Sequence, residues 1–168
     1  MATKMSSPRE LFLHELSDIL TTEKTIVKML PRLQREAKDE QLAEGFKKHL
    51  EQTRQHVANV EQVFKKLGVR PKAERCHGIE GIQAEHDEGV REVAPDMVDL
   101  FAASAAARTE HYEIAAYEGL VTMAKAMGEP DAARLLEENL KQDKTMLRET
   151  NGASRRLTRK AAKQQKRR

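Results

Sequence analysis

The chain has 168 residues, of which 34% are charged and 4% aromatic, with no tryptophan; that length suits one domain, and its wealth of Ala, Leu, Glu, Lys and Arg favours helix. Its net charge of +3 divides unevenly: residues 151–168 carry eight Lys/Arg and no acid, leaving 22 basic and 27 acidic side chains, or −5, in the first 150 residues. No apolar run approaches the roughly 20 residues of a membrane span, the opening MATKMSSPRE lacks an apolar signal core, and the single Cys76 excludes an internal disulfide and fits a reducing cytoplasm.

Four long segments show helical periodicity. In the first, Ser7 caps, Pro8 suits the opening turn and Glu10 completes a capping box. Its stripe runs Phe12, Leu16, Ile19, Leu20, Ile26, Val27, Leu30 and Leu33, and Pro31 bends the helix without ending it. The second spans Asp39 to Leu67, with Leu42, Phe46, Leu50, Val57, Val60 and Phe64 on one face and Gly68 as its stop. A connection of about 27 residues follows, Gly68 to Ala94, with a short helix expected around Ile79–Val90. The third segment runs from Pro95 to Gly128. The fourth starts at Pro130, carries Leu136, Leu140 and Leu147, and is expected to stop at Asn151-Gly152. Nothing reads as a strand. The fold expected is all-α: two antiparallel hairpins joined by one long crossover, the ferritin-like variant of the four-helix bundle. Residues 1–152 form this bundle, and 153–168 a basic tail, disordered or frayed-helical.

Placing residues at 100° intervals exposes misfits. Glu23 lies in the middle of the first stripe. Glu113 falls between Thr109, Ala116 and Leu120, with Glu110 one turn earlier, and Asp143 falls between Leu136, Leu140 and Leu147. On the second helix Thr53 is central, His49, Gln52 and His56 follow one border, and Glu51 points outward. Burying an unpaired carboxylate costs several kcal/mol. Two divalent ions match four negative charges, so Glu23, His49, Gln52, His56, Glu110, Glu113 and Asp143 are candidate ligands of a dinuclear iron or manganese site. Singly, each has an ordinary reading: Glu113 bonded to Thr109, Tyr112 or Tyr117, Glu23 paired with Lys24 or Arg32, Asp143 with a helix terminus or a cation, and the histidines as satisfied border residues. Their coincidence on all four helices favours metal. His14, His86 and His111 are expected at the surface. Cys76-His77 reads as a loop pair, since one thiol is too few for a structural zinc.

TTEK at 21–24, HLEQT at 49–53, the Cys76–Gly81 loop and above all EHYEIAAY at 110–117 resemble the YciE/YciF family of ferritin-like bacterial stress proteins, over about residues 7–150. The resemblance implies a ferritin-like bundle, usually a homodimer, with a candidate dinuclear metal site and no firmly established activity. It matches Glu23, Glu110, Glu113 and Asp143 to the family's inward acids and His49 to its histidine. The chain departs from the full di-iron pattern, which repeats Glu-x-x-His on two helices. Here the one such spacing, Glu74 to His77, lies in the crossover, and Gln52 stands where many relatives have Glu.

Three functions fit. One is a di-metal oxidoreductase acting on peroxide or O2, with Tyr112 and Tyr117 as nearby hydrogen-bond donors. Another is a structural, stress-associated bundle whose site is vestigial or only stabilising. The third is non-specific binding of nucleic acid or an anionic membrane by the Arg155–Arg168 tail, set against a merely solvated extension.

Overall fold

The first helix, α1 (Pro8–Glu36), begins where Ser7 accepts from the Glu10 amide and the Glu10 carboxylate accepts from the Ser7 amide; Pro31 lies inside it. α2 (Glu40–Lys66) is capped by Asp39, which accepts from Leu42 N at 3.0 Å, and the chain leaves it through Gly68 at φ 69°. The crossover carries α3 (His77–Glu92). α4 (Val98–Ala126) leads through Gly128, φ 73°, into α5 (Pro130–Gln165). Both glycines hold the left-handed conformation that a side chain disfavours. This computed structural model describes residues 4–166, and among them there is no strand.

α1 packs on α2 and α4, α5 packs on α2 and α4, and α3 lies against α4. At one end Arg9 donates to Leu67 O and Lys66 pairs with Asp131; at the other, Arg156 grips Asp39. These contacts make α1 antiparallel to α2, and α2 to α5. The crossover therefore traverses the length of the molecule, from the end of α2 to the start of α4.

The expected stop at Asn151-Gly152 does not occur. α5 continues to Gln165, carrying most of the basic segment as helix; Arg167 and Arg168 lie outside the described residues. A helical glycine costs about 1 kcal/mol relative to alanine. Contacts further along offset that cost: Leu157 is buried in the core, and the Arg156 guanidinium donates to both Asp39 oxygens at 2.7 and 2.6 Å.

α3 docks through close approach. The Tyr112 ring lies over Gly78 and the Phe101 ring over Gly89, where in each case a Cβ would collide with the ring. His86, expected at the surface, is buried: its ring stacks on Phe101 with centroids 5.7 Å apart, and Glu36 lies 3.6 Å away. Cys76 is no plain loop residue either, for it is buried at the start of α3 with Sγ 3.1 Å from the Tyr112 hydroxyl. Gly89→Ala should therefore cost about 1–3 kcal/mol by overpacking, read as a lower urea midpoint, whereas Gly81→Ala, with open space at its Cβ, should not.

The apolar core forms two clusters. One joins Phe12, Leu16 and Leu20 to Val60, Phe64, Leu120 and Leu136. The other joins Ile26 and Leu30 to Phe46, Leu50, Ile79, Ala103 and Leu157. Between them, on all four long helices, the buried residues turn polar: Glu23, His49, Thr53, His56, Glu110, Glu113, Asn139 and Asp143.

Candidate metal centre

Each helix enters this layer with its apolar stripe interrupted at one level. Glu23, His56, Glu113 and Asp143 each bring a ligand-type atom into a group within 4.8 Å; His49, Glu110 and Glu113 form a second such group. Glu113 belongs to both. All six are buried, and the carboxylates of Glu23, Glu113 and Asp143 have no solvent exposure. Their ion partners among the described residues are imidazoles only. His56 Nδ1 lies 3.2 Å from Glu23 and 3.5 Å from Asp143, and His49 Nε2 lies 3.1 Å from Glu110. Among the described residues no lysine or arginine pairs with these acids.

Hydrogen bonds fix the surroundings and leave the centre unsatisfied. Glu23 Oε2, both oxygens of Glu113, both of Asp143, Glu110 Oε2, His49 Nδ1 and His56 Nδ1 have no hydrogen-bond partner. Native interiors rarely tolerate such groups, and a metal ion is one standard compensation. The donor set of four carboxylates and two imidazoles, with charge −4, suits two divalent ions that favour oxygen and nitrogen. The residues present therefore fit a metal pair. Gln52, half-buried, adds another unpartnered oxygen, Oε1, between the turns of His49 and His56.

Behind these atoms stands a second set of polar residues. His56 Nε2 lies 3.2 Å from Gln142 Oε1; with the proton on Nε2, Nδ1 keeps its lone pair turned toward the acids. The Tyr117 hydroxyl donates to Glu23 Oε1 and accepts from Asn139 Nδ2 at 2.9 Å. Asn139 Oδ1 accepts from Asn59, whose own oxygen accepts from Gln55. Of the two tyrosines expected near the site, Tyr117 reaches it, while Tyr112 bonds to Cys76. The sequence reasoning missed Asn59, Asn139 and Gln142. A signal existed for two of them: Asn139 sits one turn before Asp143, and Asn59 three residues after His56, both on inward faces.

The electrostatics follow from dehydration and crowding. Burial, then the charges of Glu23, Asp143 and Glu110, push the Glu113 carboxyl well above its ordinary range. Asp143 is likewise raised by burial, with His56 opposing the shift and Glu23 and Glu110 adding to it. Burial disfavours charge on His56, but Glu23 and Asp143 outweigh it and lift its pKa to about 9. Without a metal the layer therefore holds protons where cations would fit.

An all-helical protein whose four long helices converge on a buried carboxylate–imidazole layer is the class defined here. The chain belongs to the family described as a domain of unknown function (DUF892), whose pattern it matches over residues 7–163. It is 34% identical over 142 residues to protein YciF of Escherichia coli K12, covering 83% of this chain and 86% of that one. The crystal structure of YciF, described as a stress protein, superposes with a TM-score of 0.88 at 30% identity, covering 93% of this chain and 99% of YciF. The structure of YcfI from Rhodopseudomonas palustris gives 0.87 at 35% identity, covering 90% and 97%. The resemblance read from EHYEIAAY is thus to the right family. Among the described residues no helix is long and apolar enough to cross a membrane.

Proposed function

We propose that this chain is a ferritin-like, cytoplasmic, stress-associated homodimer whose core holds two divalent ions, iron or manganese, for chemistry on peroxide or O2. One observation carries the reading: eight polar atoms without a hydrogen bond, from four helices, lie in a dry layer on residues that form two groups sharing Glu113. Glu23, His56 and Asp143 would complete one position, His49 and Glu110 the other, with Gln52 beside them. His49 and His56 are seven residues apart, two helical turns on one face, so each imidazole flanks the layer from its own end. Gln142 would hold the His56 tautomer and Tyr117 the Glu23 orientation. Bound ions of changeable valence would supply two electrons in all, which with two protons reduce one H2O2 to two waters.

Chelator-treated protein titrated anaerobically with Fe2+ or Mn2+ should take up two ions per chain by calorimetry and elemental analysis. No uptake, with an unchanged melting temperature, would favour instead a structural bundle with a vestigial site. Light scattering should give twice the chain mass.

The basic end of α5 favours a second activity. Arg155, Arg159, Lys160, Lys163 and Lys166 fall within about 140° of the helix circumference, with buried Leu157 outside that arc. Such a face suits the phosphates of nucleic acid, bound without sequence preference. Arg155→Glu/Arg159→Glu/Lys163→Glu should abolish salt-sensitive duplex DNA binding in fluorescence anisotropy; retained affinity would sink this reading.

A further inference from the structure

A small cavity lies against one side of the layer. It is about 30 Å3 in volume and is walled by Ile26, Leu30, Phe46 and Ala106, with His49 and Glu110 at its inner end. The polar groups it meets are the second of the two ligand groups, which has three members where the first has four. The group of Glu23, His56, Glu113 and Asp143 is closed in by Gln142, Tyr117 and Asn139. The two positions are therefore unequal: one is enclosed by protein, and the other faces a space.

The size and walls of that space select its occupant. About 10–15 Å3 holds a single water, so the cavity has room for a molecule of two heavy atoms. Its walls offer such a molecule almost nothing to bond with. Thr109, also in the lining, already donates its hydroxyl to Ala105 O, and Glu110 Oε1 already faces His49 Nε2. The atoms left over, Glu110 Oε2 and His49 Nδ1, sit on residues of the candidate ligand group. Hydrogen peroxide would surrender its bonds to water on entering, a cost of several kcal/mol. Dioxygen surrenders none. The partly exposed lining residues are Leu33, Ala106 and Thr109, so this is the wall nearest solvent.

We propose that this cavity is the entry and holding site for O2 beside the His49–Glu110 position, and that the small side chain of Ala106 keeps it open. The inference rests on the metal reading above and narrows its two oxidants to one.

Dissolved O2 is paramagnetic and reports its own location. With protein loaded with diamagnetic Zn2+ and, separately, metal-free, NMR under O2 pressure should show the methyls of Ile26 and Leu30 relaxing faster than those of the likewise buried Leu20, Val60 and Leu136. Ala106→Phe should erase the difference while leaving the measured Zn2+ content unchanged. Ala106→Val, a smaller intrusion, should reduce it if the larger residue prevents folding. Two Zn2+ bound with no excess relaxation at the cavity would overturn this inference alone, as would excess relaxation that both variants leave intact. Failure to bind Zn2+, Fe2+ or Mn2+ at all would overturn the metal reading and this inference with it.

Discussion

Glu113→Leu should stabilise the metal-free protein and lower its metal content from two ions to one or none. The side chain is fully buried, neither oxygen has a partner, and both ligand groups include it. Leucine occupies similar volume and removes a dehydrated neutral carboxyl, and a buried polar group left without hydrogen bonds costs about 1–3 kcal/mol. For a chain of this size each kcal/mol moves the melting temperature by about 2–4 °C. With saturating metal the order should reverse, because an ion that binds only the folded wild type adds about 2.7 kcal/mol at a hundredfold excess over Kd. Melting curves of both proteins, with chelator and with Mn2+, test the crossing. A variant that melts lower than wild type in chelator would mean that Glu113 is satisfied in the fold without metal.

Stability of the metal-free protein should fall as pH rises from about 5 to 9. His56 has a folded pKa of about 9, above its unfolded value of 6.5. Its contribution is complete below pH 6.5 and is lost as the pH climbs through 9. Asp143 and Glu113 act in the same direction: their folded pKa values are also raised, so their neutral forms favour the fold at low pH and ionisation at higher pH opposes it. The histidine alone corresponds to about 3 kcal/mol, taking 1.36 kcal/mol per pKa unit, or roughly 10 °C of melting temperature. Metal should flatten the profile, since cations replace the protons and bind more tightly as pH rises. Calorimetric scans at pH 5, 7 and 9, with chelator and with Mn2+, measure both slopes. A metal-free protein that grows more stable toward pH 9 would contradict the assignment.

Much of the fold was legible because its signals are local. Ser7 and Glu10, Asp39, Gly68 and Gly128 mark helix ends through contacts within a few residues, and the structure places ends there. The candidate ligands were legible for another reason: an acid on an apolar stripe is visible from periodicity alone. What escaped depends on partners distant in sequence. Asn151-Gly152 reads as a stop, but Arg156 meets Asp39 across 117 positions and holds the helix on course. His86 looked like a surface residue until Phe101 and Glu36 were brought to it. The two rings seated on Gly78 and Gly89 leave no periodic trace, since a glycine in a helix announces weakness and not a neighbour.

The polar layer between the two apolar clusters also acts as a key for alignment. If α1 slid along its neighbours by one turn, about 5.4 Å, a carboxylate would enter greasy surroundings and an aliphatic side chain would land among acids. Glu23, for instance, would move to the level of Leu20 or of Ile26. Interchangeable aliphatic cores forgive such slippage; a single charged tier shared by four helices does not. The same residues that make the interior costly therefore hold α1 in register with its neighbours.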